Sequence, residues 1–380
     1  MRVLQLGKYY YPYMGGIENH LYLLCTELKG KVELDVVVAN TRARTVREDV
    51  EGIPVTRVAQ VAHLASTSLC PTLPIELSRR QYDLIHLHFP HPVGVMSYLA
   101  SRRPRGHAVV VTYHSDIVKQ QRLLRLFRPF MHRVLSRADR IICTSPNYLD
   151  SSPDLAPHRD RCVVIPYGID LGQWERTPAL EARARDLRAR YGGPLLVAVG
   201  RLIYYKGFEH AIRAMREIDG TLLIVGEGPL RGSLEALARA CGVANRVHLV
   251  GEVHNKDIMP YYLASDAFVF PSVARSEAFG IVQLEAMACG LPVVNTRLDS
   301  GVPFVSRDGE TGITVPPGDP GALAAAIRTL LGDTTRRLAF GAAARHRVER
   351  EFRKEIMAAR VSSLYSDLHA QKESHARTAA

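Results

Sequence analysis

The chain has 380 residues, 47% of them hydrophobic and 23% charged, with 49 Lys/Arg against 38 Asp/Glu and a formal net charge of +11. That length is too great for one ordinary core and predicts two domains, while the composition is ordinary for a soluble globular protein and holds no apolar run of membrane-spanning length. Cys25, Cys70, Cys143, Cys162, Cys241 and Cys289 are scattered with no Cys-x-x-Cys pair, which excludes a zinc site of the usual spacing and a secreted disulfide framework.

Residues 2–6 read as a short buried strand. Gln5, Gly7 and Lys8 interrupt its apolar run, so it is no secretory signal core, and a cytoplasmic protein is expected. Tyr9, Tyr10, Tyr11 and Tyr13 follow in a loop, placed to stack on a sugar, to sit at a lipid headgroup boundary, or simply to pack half-buried. Gly15 and Gly16 precede a helix over 17–29; lacking a Cβ, they either make a turn or let backbone come close to a ligand. Further strands are predicted at 34–39, 84–88, 108–113, 141–144 and 163–166. Their near-continuous Val/Ile/Leu runs suit a parallel sheet covered on both faces.

His86 and His88 alternate along strand 84–88; one is expected to face the core and the other a cleft, and both are read as structural. His114-Ser115-Asp116 stands at the carboxyl end of strand 108–113, where doubly wound sheets bind ligands. Residues 119–140 then carry seven Lys/Arg and one Asp among Leu123, Leu124, Leu126, Phe127, Phe130, Met131, Val134 and Leu135. This is either a cationic amphipathic helix lying on an anionic membrane or a helix packed on the first domain, with Pro129 expected to kink or interrupt it. Residues 1–170 hold 22 Lys/Arg against 15 Asp/Glu and the remainder 27 against 23, so the basic excess lies mainly in front. Such a balance suits nucleic acid, an anionic bilayer or a polyanionic ligand; no nucleic-acid-binding motif is present.

Turn residues at Pro166-Tyr167-Gly168-Ile169-Asp170 and a polar stretch over 173–190 put a boundary after residue 170. A second strand set, at 195–200, 221–226, 247–250, 267–271, 292–296 and 312–315, predicts a second Rossmann-like domain over 171–351. Arg201 and Lys206 lie in the loop after its first strand. A guanidinium fork and an ammonium suit a diphosphate; by spacing alone they are two solvated charges. Gly226-Glu227-Gly228-Pro229 follows a strand and is expected to open a helix with Pro229 near its first turn. It fails as a dinucleotide fingerprint, because Gly232 comes one position late and the strand is not the first of its domain.

The most informative stretch is Ser276-Glu277-Ala278-Phe279-Gly280-Ile281-Val282-Gln283-Leu284-Glu285-Ala286-Met287-Ala288-Cys289-Gly290. Two carboxylates flank the start of a short helix that Gly290 closes. A helix start attracts phosphate through its unpaired N–H groups and partial positive charge. Acids on both sides make sense when the ligand carries sugars on either side of a diphosphate, as a nucleotide sugar does. Last, 352–371 reads as a helix with Ile356, Val361, Leu364, Tyr365 and Leu368 on one side, and 372–380 as a disordered tail.

In this order the Gly15-Gly16 loop, the His114 stretch, the Arg201–Lys206 loop, the Gly226 turn and the acidic motif resemble the retaining glycosyltransferases of family 4. The resemblance spans nearly the whole chain and implies the GT-B fold, an α/β architecture of two Rossmann-like doubly wound domains facing a cleft. The 9–16 and 113–116 stretches look most like bacterial mannosyl- or rhamnosyltransferases of surface-polysaccharide assembly.

The resemblance implies that the Gly15-Gly16 loop faces donor phosphates and acceptor, that His114 and Glu277 touch the transferred sugar, and that Arg201 and Lys206 stabilise the departing diphosphate. It further implies backbone N–H groups from Phe279, Gly280 and Ile281 to the diphosphate, Glu285 at the ribose, Gly226 near the nucleotide, and Gly251 to Lys256, with Val253, bordering the base. The C-terminal helix is expected to brace the first domain. The expected reaction moves a hexosyl group, mannose first, from a nucleoside-diphosphate sugar (GDP-mannose, with a UDP-hexose close behind) to a glycan or lipid-linked acceptor, with no cofactor or metal and with retention. Two alternatives are a nucleotide-sugar epimerase of the same fold, betrayed by epimerisation without acceptor, and a non-catalytic nucleotide-sugar or membrane-surface binder, which should have lost some of Arg201, Lys206, Glu277 and Glu285.

Overall fold

The computed structural model describes residues 1–13, 15–64, 67–102, 106–117 and 121–378. The chain forms two compact units: residues up to Gly168 together with those from Lys354 onward, and Ile169–Arg353.

The first unit is built on strands β1 (Arg2–Leu6), β2 (Glu33–Ala39), β3 (Val46–Val50), β4 (Ile53–Val58), β7 (Leu84–Phe89), β8 (Ala108–Tyr113), β9 (Arg140–Cys143) and β10 (Cys162–Val164), with a separate hairpin of β5 (Ala62–Leu64) and β6 (Thr67–Leu69). The sheet order is β10-β9-β8-β7-β1-β2-β4-β3, parallel throughout except for β3. Central runs such as Val36 to Val38 and Val109 to Val111 are buried, as a sheet covered on both faces demands. The six strands expected here are present, two with the expected bounds and four with ends moved by one or two residues. β3, β4, β5 and β6 were not foreseen; β3 carries Arg47, Glu48 and Asp49 on an exposed edge, where charge deters strand-to-strand aggregation and hides the apolar pattern.

The helix Lys354–Thr378 belongs to this unit and sets Met357, Ala358, Val361, Tyr365 and Leu368 into its core, against Leu21, Leu24 and Cys25 of the helix Gly16–Leu28. It differs from expectation at both ends. Phe352 stays in the second unit, where its ring lies near Phe279 and Phe304 and its carbonyl accepts from Ile169 N at 2.8 Å. Beyond Lys372 the chain is helical to Thr378 rather than disordered; Lys372 Nζ sits 2.8 Å from Asp139 Oδ1, and the tail residues are mostly good helix formers.

The helix Gln121–Leu135 likewise runs through Pro129 without a break. Buried Leu124, Phe127, Met131, Val134 and Leu135 anchor it on both sides of the proline. Lys119 lies outside the described residues, as do the side chains of Arg122 and Leu123. Among the described residues no helix is long and apolar enough to cross a membrane.

The second unit holds β11 (Leu195–Val199), β12 (Thr221–Val225), β13 (Val247–Gly251), β14 (Ala267–Phe270), β15 (Val293–Thr296) and β16 (Gly312–Val315), all parallel in the order β13-β12-β11-β14-β15-β16. Among its parallel strands each sheet reverses its order once, between β7 and β1 in the first and between β11 and β14 in the second. Ligands of such sheets bind at the carboxyl ends of the strands beside that reversal.

Candidate active site

In the second unit the residues of interest leave β11 and β14, the two strands at the reversal. The chain after β11 lies flat on the chain after β12: Gly200 N donates to Val225 O and Leu202 N to Glu227 O, each at 2.9 Å. Gly226 has φ +140°, and a Cβ there would stand 2.1 Å from Gly200 O. Close backbone packing is thus reason enough for Gly226. Its N–H bonds to Gly251 O at 2.8 Å, which brings the loop containing Val253 alongside. The helix expected from this turn starts only at Arg231, so Pro229 lies ahead of it.

Lys206 closes the short 3-10 turn Tyr204–Lys206, and its Nζ lies 2.6 Å from Glu277 Oε2. Both residues are more than nine-tenths buried. Ser272 Oγ also donates to Glu277 Oε2, at 3.3 Å, and the Lys206 ammonium stands 5.1 Å from the Phe270 ring centre. A phosphate and a sugar were expected to take these two side chains separately; the structure makes them partners. Burial with Glu277 close by pushes the Tyr205 hydroxyl up to about 12, while Arg201, itself exposed, pulls the other way.

The helix Ile281–Ala288 begins at Gly280, which has φ +78° and no side-chain cap. A Cβ on Gly280 would meet Phe270 at 2.7 Å. The first-turn N–H groups at Ile281 and Val282 therefore have no intrahelical acceptor, the usual form of an anion site. The Phe279 ring is core, and its carbonyl takes Gln283 Nε2 at 3.1 Å, which ties the residue before the helix to the first turn. A fully buried polar network holds this helix start, with Asn295 Nδ2 donating to Gln283 Oε1 at 3.0 Å and Thr314 Oγ1 to Asn295 Oδ1 at 2.7 Å. Glu285, one helical turn further, accepts from Tyr262 at 2.8 Å. Burial raises its pKa, opposed by that hydrogen bond and by the charge of Lys206, so Lys206 lies within electrostatic reach of both acids.

In the first unit Gly15 is the extended N-cap of the helix Gly16–Leu28. Tyr9 and Tyr10 are core residues, Tyr9 bonding Ser68 at 2.7 Å, whereas Tyr11 and Tyr13 are 40% and 48% exposed. A groove of about 440 Å³ is lined by Tyr13, Asn40, Arg42, Arg44, Glu48 and Arg57, among others.

His86 and His88 do not divide between core and cleft. Residues two apart on a strand share a face, and their rings stack at 4.4 Å, both buried. His88 Nδ1 lies 3.0 Å from His114 Nε2 and His88 Nε2 3.0 Å from Gln5 Oε1, while His114 Nδ1 bonds the Tyr167 hydroxyl. Burial holds His88 and His114 well below the usual imidazole range and His20 and His86 at about 3, so all four are neutral.

His20 is 6% exposed, its ring 5.2 Å from His114 and 4.7 Å from Tyr167, and neither ring nitrogen has a hydrogen-bond partner. His20, His88 and His114 bring their nitrogens within 4.8 Å of one another, the one set among the described residues with metal-holding geometry. The facing nitrogens of His88 and His114 already bond each other, so a cation would have to displace that bond. Sequence spacing announced neither this cluster nor His20, Gln5, Tyr167, Tyr365 and Tyr262, whose contacts join segments far apart in the chain.

Two family models match the chain: that of glycosyl transferases group 1 over residues 181–347 and that of glycosyltransferase family 4 over residues 14–173. The chain is 37% identical over 336 residues to the D-rhamnosyltransferase WbpZ of Pseudomonas aeruginosa, covering 87% of this chain and 86% of that one. It is 34% identical over 372 residues to the O-antigen chain mannosyltransferase C of Escherichia coli, covering 97% and 99%. Among solved structures it resembles sucrose-phosphate synthase from Thermosynechococcus elongatus, with TM-score 0.80, 25% identity, and coverage of 98% of this chain and 100% of the other.

Proposed function

Since the chain belongs to glycosyltransferase family 4 and is a glycosyltransferase of cell-surface polysaccharide synthesis, we propose that it transfers a mannosyl-type hexose from a nucleoside-diphosphate sugar with retention, without a metal ion. GDP-mannose is the first choice of donor, and the acceptor is a hydroxyl of a glycan or lipid-linked saccharide. The observation that carries this reading is the buried Lys206–Glu277 pair beside the uncapped start of Ile281–Ala288.

In this reading the diphosphate sits on the Ile281 and Val282 N–H groups, with Lys206 and the exposed Arg201 supplying the positive charge that a divalent ion supplies elsewhere. The bond from the anomeric carbon to the phosphate oxygen breaks, and its electron pair leaves with the diphosphate. The acceptor oxygen attacks from the same face, and its proton passes to the departing phosphate oxygen. Glu277 keeps Lys206 compensated before the donor arrives and then faces the transferred sugar; Glu285 takes the ribose hydroxyls. His114 and the Gly15-Gly16 loop act in the first unit, on the acceptor side, and Tyr13 with Arg42 and Arg44 offers an aromatic and cationic groove for a phosphorylated lipid-linked acceptor.

The protein acts in the cytoplasm at the inner face of the membrane. Support comes from the helix Gln121–Leu135, where Leu126 is 74% and Phe130 43% exposed beside exposed Arg125 and Arg133. Arg128, by contrast, is tied to Asp154 at 2.8 Å. The function is tested by incubating the protein with GDP-α-mannose and synthetic α-mannoside and α-rhamnoside acceptors. An α-linked product formed in the presence of EDTA is expected; a β-linked product, or activity that needs manganese, contradicts the reading.

A further inference from the structure

We propose that Gln5 and Tyr365 are positioning residues that decide which ring nitrogen of His114 carries its proton, through an unbroken chain of buried hydrogen bonds. The inference rests on the reading of His114 as a ligand-facing group of the first unit. Its geometry stands independently of that reading.

An amide gives such a chain a direction, because its nitrogen only donates and its oxygen only accepts. Gln5 Nε2 donates to the Tyr365 hydroxyl at 2.9 Å. Tyr365 must then turn its own hydrogen to His86 Nδ1, at 2.5 Å, which leaves His86 Nε2 to donate to Thr112 Oγ1 at 2.6 Å. On its other side Gln5 Oε1 accepts from His88 Nε2 at 3.0 Å. A neutral imidazole has one N–H, so His88 Nδ1 is an acceptor and takes the proton of His114 Nε2 at 3.0 Å. His114 has then spent its one N–H, and its Nδ1 accepts from the Tyr167 hydroxyl.

Every link lies within the first unit, and Gln5, His86, His88, His114, Tyr167 and Tyr365 are all more than nine-tenths buried. In such a place an unmatched donor or acceptor is costly, so the members change direction together or not at all. The Nε2 side of His114 is anchored through His88 and Gln5, whereas its Nδ1 is held by the Tyr167 hydroxyl. His114 therefore meets a sugar hydroxyl as an acceptor at Nδ1, in exchange for Tyr167. The helix Lys354–Thr378, through Tyr365, thereby sets the chemistry of a histidine that it does not touch by hydrogen bond.

The test is nitrogen-15 NMR of the full chain labelled in its imidazoles, on wild type, Tyr365→Phe, Gln5→Leu and Gln5→Glu, with signals assigned by single His→Gln variants. Wild type should show His88 and His114 both protonated at Nε2. Gln5→Glu should keep that pattern, since a carboxylate only accepts, whereas Tyr365→Phe and Gln5→Leu should let the Nδ1–H forms appear. In turnover, kcat should fall about tenfold in Gln5→Leu with the KM for donor unchanged, and Gln5→Glu should recover most of it. His114 protonated at Nδ1 in wild type, or tautomers that ignore both Tyr365→Phe and Gln5→Leu, overturns the proposal. Absence of transfer by the wild type would count against the enzymatic reading alone, since the NMR result is read without turnover.

Discussion

Lys206 Nζ and Glu277 Oε2 stand 2.6 Å apart, each from a loop at the end of one of two adjacent central strands. Removing one partner of a buried pair strands the other charge, typically at a cost of about 3–5 kcal/mol. Lys206→Ala should therefore lower both stability and turnover, the latter by about two orders of magnitude or ~3 kcal/mol of transition-state stabilisation. The double variant Lys206→Met with Glu277→Gln separates the effects. It should regain most of the melting temperature and none of the activity. Turnover returning along with stability would deny Lys206 any role with the leaving group.

Five neutral buried histidines, His20, His86, His88, His91 and His114, make the first unit acid-sensitive. Their folded-state pKa values lie below the unfolded value, so as pH falls through the ordinary imidazole range the unfolded chain binds protons that the folded chain refuses. Stability is full above that range and declines from about pH 6.5 toward pH 3, each group contributing about 1.4 kcal/mol per pH unit. Urea midpoints at pH 7 and pH 5 measure this. His20→Phe, which removes two unpartnered nitrogens, should raise stability at pH 5 by more than at pH 7 and flatten the slope. A slope equal to wild type would mean that His20 is charged or hydrated in the folded protein.

Glu285 works in the opposite sense. Its folded pKa is raised above the unfolded value by burial, so it costs nothing at low pH and destabilises increasingly as pH rises through the unfolded value toward the folded one. Glu285→Gln still accepts from Tyr262 and should be more stable than wild type at pH 7 but not at pH 3. If Glu285 holds ribose hydroxyls, the same variant should bind nucleotide about tenfold more weakly. Equal nucleotide affinity by calorimetry would remove it from the site.

The strands were legible because buried parallel strands are written as unbroken Val/Ile/Leu runs, visible without any tertiary knowledge; β11, Leu195 to Val199, is one such case. The acidic motif was legible because its carboxylates, Gly280 and helix start are neighbours in sequence. The Gln5–His88–His114 chain was not, since its members come from β1, β7 and the end of β8, and Tyr365 is 360 residues from Gln5. Local pattern also misplaced Phe352 and the break at Pro129, where tertiary packing overrode the signal.

The polar network behind the helix start offers a test of scaffold against chemistry. Asn295→Leu would leave Gln283, Thr314 and the carbonyls of Val302 and Ser306 short of a partner, and should cost about 3 kcal/mol by denaturant titration. Nucleotide affinity should fall with it, because the Ile281 and Val282 N–H groups lose their fixed direction. Full affinity in a destabilised variant would show that the helix start is not the phosphate site.

For the membrane, Leu126→Ser and Phe130→Ser, with Arg125→Gln and Arg133→Gln, alter exposed positions of Gln121–Leu135 and should leave the melting temperature within a few degrees. Sedimentation with anionic vesicles should fall several-fold, given ~1 kcal/mol per charge at such a surface. Unaltered sedimentation would confine this helix to packing within the first unit.

The most direct measurement is a crystal structure of the protein soaked with GDP. The diphosphate is predicted within hydrogen-bonding distance of Lys206 Nζ and of the Ile281 and Val282 amides, with the ribose at Glu285. A nucleotide bound elsewhere, or a Lys206–Glu277 pair left untouched with no phosphate at that helix, would contradict the account.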